Sequence, residues 1–390
     1  MLETWRWFGP EDTITLSKIR QAGASGIVTA LHEVPTGEVW SAELIKARHQ
    51  MIKDAGLDWN VVESVPLHND IKTRTGDYKR YISNYKQTLT NLGKNGIYTV
   101  CYNFMPVVDW TRTNLSYTLP NASQALRFEM TDFVAYDVMI LERPGAENDY
   151  TPAQLMEAKE RFSNMCETER TLLENNIIAG LPGGEGSYNR ESIKQAIQQF
   201  NEIGTEGYRQ NLIQFLKDIM PTAEAHGIKL CIHPDDPPFS LFGLPRVVST
   251  AEDAKALLDA VPSPSNGLTM CAGSYGARAD NNLVEMVRTF GPSIFFVHLR
   301  NVKREADGSF FESDHLDGDN DMIGLIRALL EVEQQRGSAG DEIPMRPDHG
   351  HLLEDEMGQE GVKPGYSYAG RMKALAELRG AIHVLEQLQS

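Results

Sequence analysis

Four segments in the second half of the chain each end an apolar run on a residue of metal-ligand type. They are Leu230-Cys231-Ile232-His233, Leu268-Thr269-Met270-Cys271, Ile294-Phe295-Phe296-Val297-His298 and Pro344-Met345-Arg346-Pro347-Asp348. The terminal residues 233, 271, 298 and 348 are spaced 38, 27 and 50 residues apart. A strand plus a helix fills the first two intervals, and an insertion stretches the third. A parallel (β/α) barrel gathers the C-terminal ends of its strands on one face, where the chemistry lies. His233, Cys271, His298 and Asp348 can therefore converge on one divalent cation although no two are neighbours in sequence.

The rest of the chain fits such a barrel. Apolar, β-branched and aromatic runs without polar alternation predict eight strands buried on both faces. They lie at Gly26–Leu31, Trp59–Glu63, Tyr98–Asn103, Asn176–Gly180, Lys229–His233, Leu268–Cys271, Ile294–His298 and Pro344–Asp348. Helices are expected between them. Thr151-Pro152-Ala153-Gln154 supplies an N-cap, Pro at the first helical position and Gln two residues on, before a run to about Leu173. Thr205 caps another helix that runs toward His226, with Gly227 past its end. Thr250 opens a third. The fold class is thus an α/β TIM barrel over residues 1–390 as a single domain. Two stretches exceed ordinary loop length: Trp110 to Tyr150 after the third strand so counted, and the acidic segment Asn301–Asp321 after the seventh. Long insertions on that side of a barrel shape or cover the active site.

Composition bounds the partners. A formal charge of −17 argues against nucleic acid, because phosphate contacts need clustered Lys and Arg. No apolar run approaches the ~20 residues of a membrane span. No basic-then-apolar leader is read at Met1-Leu2-Glu3-Thr4-Trp5-Arg6. The four cysteines (Cys101, Cys166, Cys231, Cys271) form no CxxC pair and read as free thiols or ligands in a reducing, cytoplasmic setting. Cys231 lies two residues before His233 and points the same way one layer deeper, so it is expected to pack. A homo-oligomer is compatible with the chain, whose sequence signals neither for nor against one.

Asp348-His349-Gly350-His351 places a histidine beside a ligand carboxylate. His349, with an ordinary pKa near neutrality, suits acid–base work. The plainer reading makes His349 the ligand and Asp348 its outer partner. Gly365-Tyr366-Ser367-Tyr368 follows, with a tyrosine on a glycine-bounded loop. Gly183-Gly184-Glu185-Gly186 lacks the Lys-Ser/Thr of a P-loop. Asp317-Gly318-Asp319-Asn320-Asp321 lacks the Gly and the Glu of a calcium loop.

Several strings resemble the mannonate dehydratase family. They include Arg6-Trp7-Phe8-Gly9-Pro10, the run from Asn103 to Arg112, His233-Pro234-Asp235-Asp236-Pro237-Pro238, Cys271-Ala272-Gly273-Ser274, His298-Leu299-Arg300-Asn301, His315-Leu316-Asp317-Gly318 and Pro347-Asp348-His349-Gly350. The resemblance implies a barrel similar to xylose isomerase, with Mn²⁺ or Fe²⁺ held by His233, Cys271, His298 and Asp348. It implies dehydration of D-mannonate to 2-keto-3-deoxy-D-gluconate in glucuronate catabolism. His349 and Tyr366 would be catalytic, although the family text around Tyr366 differs and its second tyrosine falls on Ala369. The substrate is an anion in a strongly acidic chain, so local cations are expected at the mouth. Arg300 and Arg346 are best placed to clamp its carboxylate, with Arg112 and Arg371 behind them. A metal-dependent sugar isomerase or epimerase on the same barrel is the alternative, since fold does not dictate function.

Overall fold

The computed structural model describes residues 1–178, 188–337 and 342–389. Eight parallel strands close into a barrel: Leu2–Arg6, Gly26–Thr29, Asp58–Glu63, Thr99–Tyr102, Lys229–Ile232, Asn266–Cys271, Ile294–His298 and Pro344–Arg346. Each pairs with its neighbour in chain order, and Leu2 against Pro344 closes the ring.

Two expectations change. Leu2–Arg6 is the first strand, which the charges at Glu3 and Arg6 hid. Asn176–Gly180 is not a barrel strand: Asn176 to Ile178 finish the helix Glu167–Ile178, and 179–180 lie outside the described residues, as do the glycines at 183, 184 and 186. Leu173 and Ile177, four apart, face inward there, so the apolar content has the period of a helix. The first insertion consequently follows the fourth barrel strand.

Local signals are otherwise kept. Thr151 and Gln154 form a reciprocal capping box on Pro152–Asn164, but the chain breaks at Met165 and restarts at Glu167. The helix Arg190–Ala225 is interrupted at Gly204 (φ 69°, ψ 170°), immediately before Thr205. That combination is open essentially to glycine alone. Gly227 takes a left-handed φ of 67° after the helix end, and Thr250 caps Ala251–Ala260. Asp321, from the rejected calcium motif, caps Met322–Arg336 by accepting from the Gly324 amide.

The two insertions meet. Asn114–Thr118 and Gln124–Phe128 from the first pair with Val302–Arg304 and Phe310–Glu312 from the second in one antiparallel sheet beside the barrel mouth. Sequence showed two long segments. Their pairing, across nearly 200 residues of chain, is what carries Arg112 and Glu312 into the site.

Candidate active site and metal centre

Residues at or just past the ends of four barrel strands build the centre. Cys271 and His298 are register partners on adjacent strands, and Arg346 is in register with His298 on the next. His233 follows the fifth strand and its amide donates to the Tyr102 carbonyl. His233 Nε2 lies 3.2 Å from His298 Nδ1. Among the described residues, the one His/Cys/carboxylate group suited to a metal ion is His233, Cys271 and His298, with ligand atoms within 4.8 Å of one another. Asp348 Oδ2 adds an oxygen 3.8 Å from the Cys271 sulfur and 3.9 Å from His298 Nδ1.

The donor set fits a divalent transition ion. His233 Nδ1 donates to the Pro234 carbonyl at 2.7 Å, which leaves Nε2 as a lone-pair donor. His298 Nε2 is buried and faces Glu63 Oε1 at 3.3 Å, so its Nδ1 turns to the centre. A carboxylate behind a metal-binding imidazole is the usual outer support. Burial disfavours the Cys271 thiolate, but Arg300 and His233 beside it hold the thiol well below its ordinary range. The thiolate is the ligating form. Cys231 sits one layer down, opposite Cys101, among Val28, Val61, Phe295 and Phe296. Cys271→Ser is therefore expected to weaken metal binding strongly and Cys231→Ser to leave it near wild type. Metal titration of both variants checks this, and the reverse ranking would assign the wrong cysteine.

The eighth strand ends in a turn that aims two consecutive side chains at the mouth. Asp348 adopts φ 65°, a left-handed conformation that Asp tolerates better than most residues. A Cβ on Gly350 would lie 2.4 Å from the Arg371 backbone nitrogen, so only glycine fits after His349. His315 braces the turn by donating from Nε2 to the Pro347 carbonyl at 2.7 Å. His349 then points its Nδ1 at both Glu312 oxygens, 2.8 and 2.9 Å away, and its Nε2 lies 3.8 Å from Asp348 Oδ1. Burial would raise the Glu312 carboxyl, but His349 and then Arg300 hold it down at about 2. Trp110 and Tyr366 flank the imidazole edge-on, at 5.9 and 5.0 Å between ring centres.

One cavity joins these groups: His233, Asp348, His349, Tyr366, Trp110 and Glu63 all line it. Tyr366 is buried, and burial pushes its hydroxyl up to about 12 against the opposing pull of Arg346. Tyr368 is elsewhere, its hydroxyl donating to the Lys18 carbonyl at 2.9 Å on the outside of the barrel. A larger cavity of about 410 Å³ opens at the opposite end, beside Leu2, Thr99, Lys229 and Pro344 at strand starts. In TIM barrels that end serves stability and not chemistry.

The arginines are heavily committed. Arg300 spans Glu312, Asp236 at 2.7 Å and Asp348 at 3.0 Å. Arg346 forks Glu63 at 2.9 and 3.0 Å and also meets Asp348. Arg112 forks Asp236 and reaches Glu312 at 3.2 Å. Arg371 donates to the Arg6 and Tyr366 carbonyls and ties the tyrosine loop to the first strand. Glu63, Asp236 and Glu312 are the functional residues that sequence reading passed over. Glu63 had a signal, as the last residue of a predicted strand. Glu312 had none, since nothing local marks a residue brought in by sheet pairing.

Residues 1–390 match the family model for D-mannonate dehydratase (UxuA). The chain belongs to that family. A mannonate dehydratase of Saccharophagus degradans is 68% identical over 392 residues, covering 100% of this chain and 99% of the relative. The crystal structure of mannonate dehydratase from Streptococcus suis serotype 2 superposes with a TM-score of 0.79 at 32% identity, covering 100% of this chain and 94% of that one. Membership makes the chain a hydro-lyase. A D-tagatose 3-epimerase-like protein shares the barrel at TM-score 0.54 and 12% identity, covering 100% of both chains. That likeness is one of fold alone, so the epimerase alternative gains nothing from it.

Proposed function

We propose that this chain converts D-mannonate to 2-keto-3-deoxy-D-gluconate and water by metal-assisted acid–base elimination. The observation that carries the reading is a cavity lined by His233 and Asp348 together with His349 and Tyr366, with the ligand atoms of Cys271 and His298 within 4.8 Å of that of His233. His233 Nε2, Cys271 Sγ, His298 Nδ1 and Asp348 would hold Mn²⁺ or Fe²⁺; imidazole and thiolate donors suit Fe²⁺, and the carboxylate suits Mn²⁺. Such an ion supplies Lewis-acid stabilisation of the charge that develops on the substrate when the proton beside its carboxylate is lost.

The protein groups then move two protons. One base removes the C2 proton and one acid protonates the departing C3 hydroxyl, so that an enol and water form and the enol collapses to the ketone. His349 and Tyr366 divide these roles. Glu312 accepts from His349 Nδ1, which keeps the imidazole oriented with Nε2 toward the centre. Trp110 and the buried Tyr366 ring keep water away from it. Positioned proton-transfer groups of this kind contribute ~10²–10⁴-fold each.

We read residues 1–390 as one catalytic unit and place the reaction in the cytoplasm. The four free cysteines support a reducing setting, and no described helix is long and apolar enough to cross a membrane. Incubating metal-loaded protein with a panel of aldonates and assaying 2-keto-3-deoxy acids tests the substrate. Mannonate should be the best of the panel, and release of an isomeric sugar acid without water loss would favour the epimerase reading. Chelator-stripped protein should be inactive, and Mn²⁺ or Fe²⁺ should restore it. Full turnover in a sample verified to be metal-free would end the mechanism.

A further inference from the structure

We propose that Arg6, with His32 beside it, forms the subsite that recognises the substrate carboxylate and so sets the preference for a sugar acid over an uncharged polyol. The proposal rests on the dehydratase reading and adds to it the residues that read the acid group.

Arg6 is the last residue of the first barrel strand, at the mouth. It differs from the other guanidiniums there. Arg300, Arg346 and Arg112 are spent on carboxylates, Arg371 on carbonyls, and Arg48 on the Ala30 carbonyl and Glu33. Arg6 is 9% exposed, and its Nη1 is buried with no hydrogen-bond partner among the described residues. The nearest carboxylate oxygen, Glu63 Oε2, is 3.6 Å away, too far for a hydrogen bond, and already accepts from Arg346 Nε. A buried guanidinium left in that state carries an unmet desolvation cost, which a bound anion would relieve.

The surroundings point to the same ligand. Arg6 and Lys363 both approach the Phe8 ring, 5.1 and 5.0 Å from its centre. Its other neighbours are His32, stacked at 6.0 Å, and the cavity-lining Tyr366, edge-on at 4.9 Å. His32 Nε2 is also buried with no hydrogen-bond partner among the described residues. Burial first, then Arg6, Arg48 and Lys363, push the His32 pKa down to about 3, so the ring is neutral. It can donate a hydrogen bond to an anion without adding another cation to the cluster. Arg6, Arg48 and Lys363 thus gather behind Tyr366 and Glu63, which line the active cavity, with Glu33 and Asp12 as the other carboxylates beside them. Glu63 links this cluster to the metal-type group, since its other oxygen faces His298. A planar carboxylate whose oxygens need donors is the chemistry that a guanidinium edge beside an imidazole N–H matches.

The test uses metal-loaded enzyme with D-mannonate as substrate and D-mannitol as competitor. Mannitol is a six-carbon polyol with a hydroxymethyl group in place of the carboxylate. Arg6→Met should raise KM for mannonate about 10–100-fold, the worth of a charge-assisted hydrogen bond, with a smaller fall in kcat. The inhibition constant of mannitol should stay within about twofold of wild type, because no charge is lost from its contacts. Arg6→Lys should recover part of the mannonate affinity. If Arg6→Met fails to fold by thermal melting, Arg6→Lys and His32→Ala put the same question with the same two readouts. A mannonate KM unchanged in these variants overturns the proposal. So does a parallel loss of mannonate and mannitol, which would mean that Arg6 shapes the cavity and does not read the acid. Failure of the wild type to form a keto-deoxy acid from mannonate would instead overturn the dehydratase reading, and it is seen before any variant is made.

Discussion

Replacing His349 by Asn should lower turnover about 10²–10⁴-fold while metal stays bound and KM changes little, the pattern of a lost proton-transfer group. His349 lies apart from the metal-type group His233, Cys271 and His298. Its Nδ1 is taken by Glu312 at 2.8 Å, and its nearest approach to the metal-type group is Nε2 to Asp348 Oδ1 at 3.8 Å. Asn is small enough for the space between Trp110 and Tyr366 and retains a donor toward Glu312. Asp348→Asn is the control. It replaces a carboxylate that lies within 4 Å of both Cys271 and His298 by a neutral amide, so metal and activity should disappear together. The two residues are adjacent, and a general folding defect would affect both variants alike. Metal content by elemental analysis, measured alongside kcat and KM, decides the matter. His349→Asn purified without metal would place His349 among the ligands.

The second large effect is on stability. Arg300→Met should destabilise the fold by about 3–5 kcal/mol, the usual cost of removing one partner from a buried ion pair. Arg300 is almost fully buried and is shared among Glu312, Asp236 and Asp348, each also buried. Taking it away leaves three carboxylates with Arg112, Arg346 and His349 to compensate them, in a chain that is already strongly acidic. It also removes the cation that does most to hold the Cys271 thiol below its ordinary range. Arg300→Met should therefore unfold at lower denaturant concentration and bind metal poorly. A variant with wild-type stability and only a raised KM would return Arg300 to the role of substrate clamp, which its position two residues past His298 suggested.

Much of the fold was legible because a barrel strand is written locally. Lys229–Ile232, Asn266–Cys271 and Ile294–His298 are short apolar runs, and each delivers a ligand-type residue at or just past its end. Parallel closure makes such ends converge whatever lies between them, so His233, Cys271, His298 and Asp348 could be grouped from spacing alone. The misreadings had local causes too. Leu2–Arg6 carries charge at Glu3, paired to Arg379 on the barrel's outside, and at Arg6 in the mouth, so it does not look like a buried strand. Asn176–Gly180 looked like one because a short apolar run does not declare its period.

What sequence by itself determined was the grouping of His233, Cys271, His298 and Asp348, the barrel, the turn at Pro347-Asp348-His349-Gly350 and the family. These depend on residue type at strand ends and on steric demands within a few residues, such as the 2.4 Å clearance at Gly350. What only the tertiary structure decided was the partnering of charge. Arg300 and Arg346 sit where sequence put them, but their donors go to Asp236, Glu63, Glu312 and Asp348, while Arg6 at the far end of the chain keeps a buried Nη1 with no hydrogen bond among the described residues, 3.6 Å from Glu63. Glu312 reaches His349 only because two insertions, each featureless alone, pair as one sheet. The reason is physical: hydrogen bonds and ion pairs act over about 3–4 Å between atoms, and for groups tens to hundreds of residues apart that distance is set by the closed fold and by nothing in their own neighbourhood.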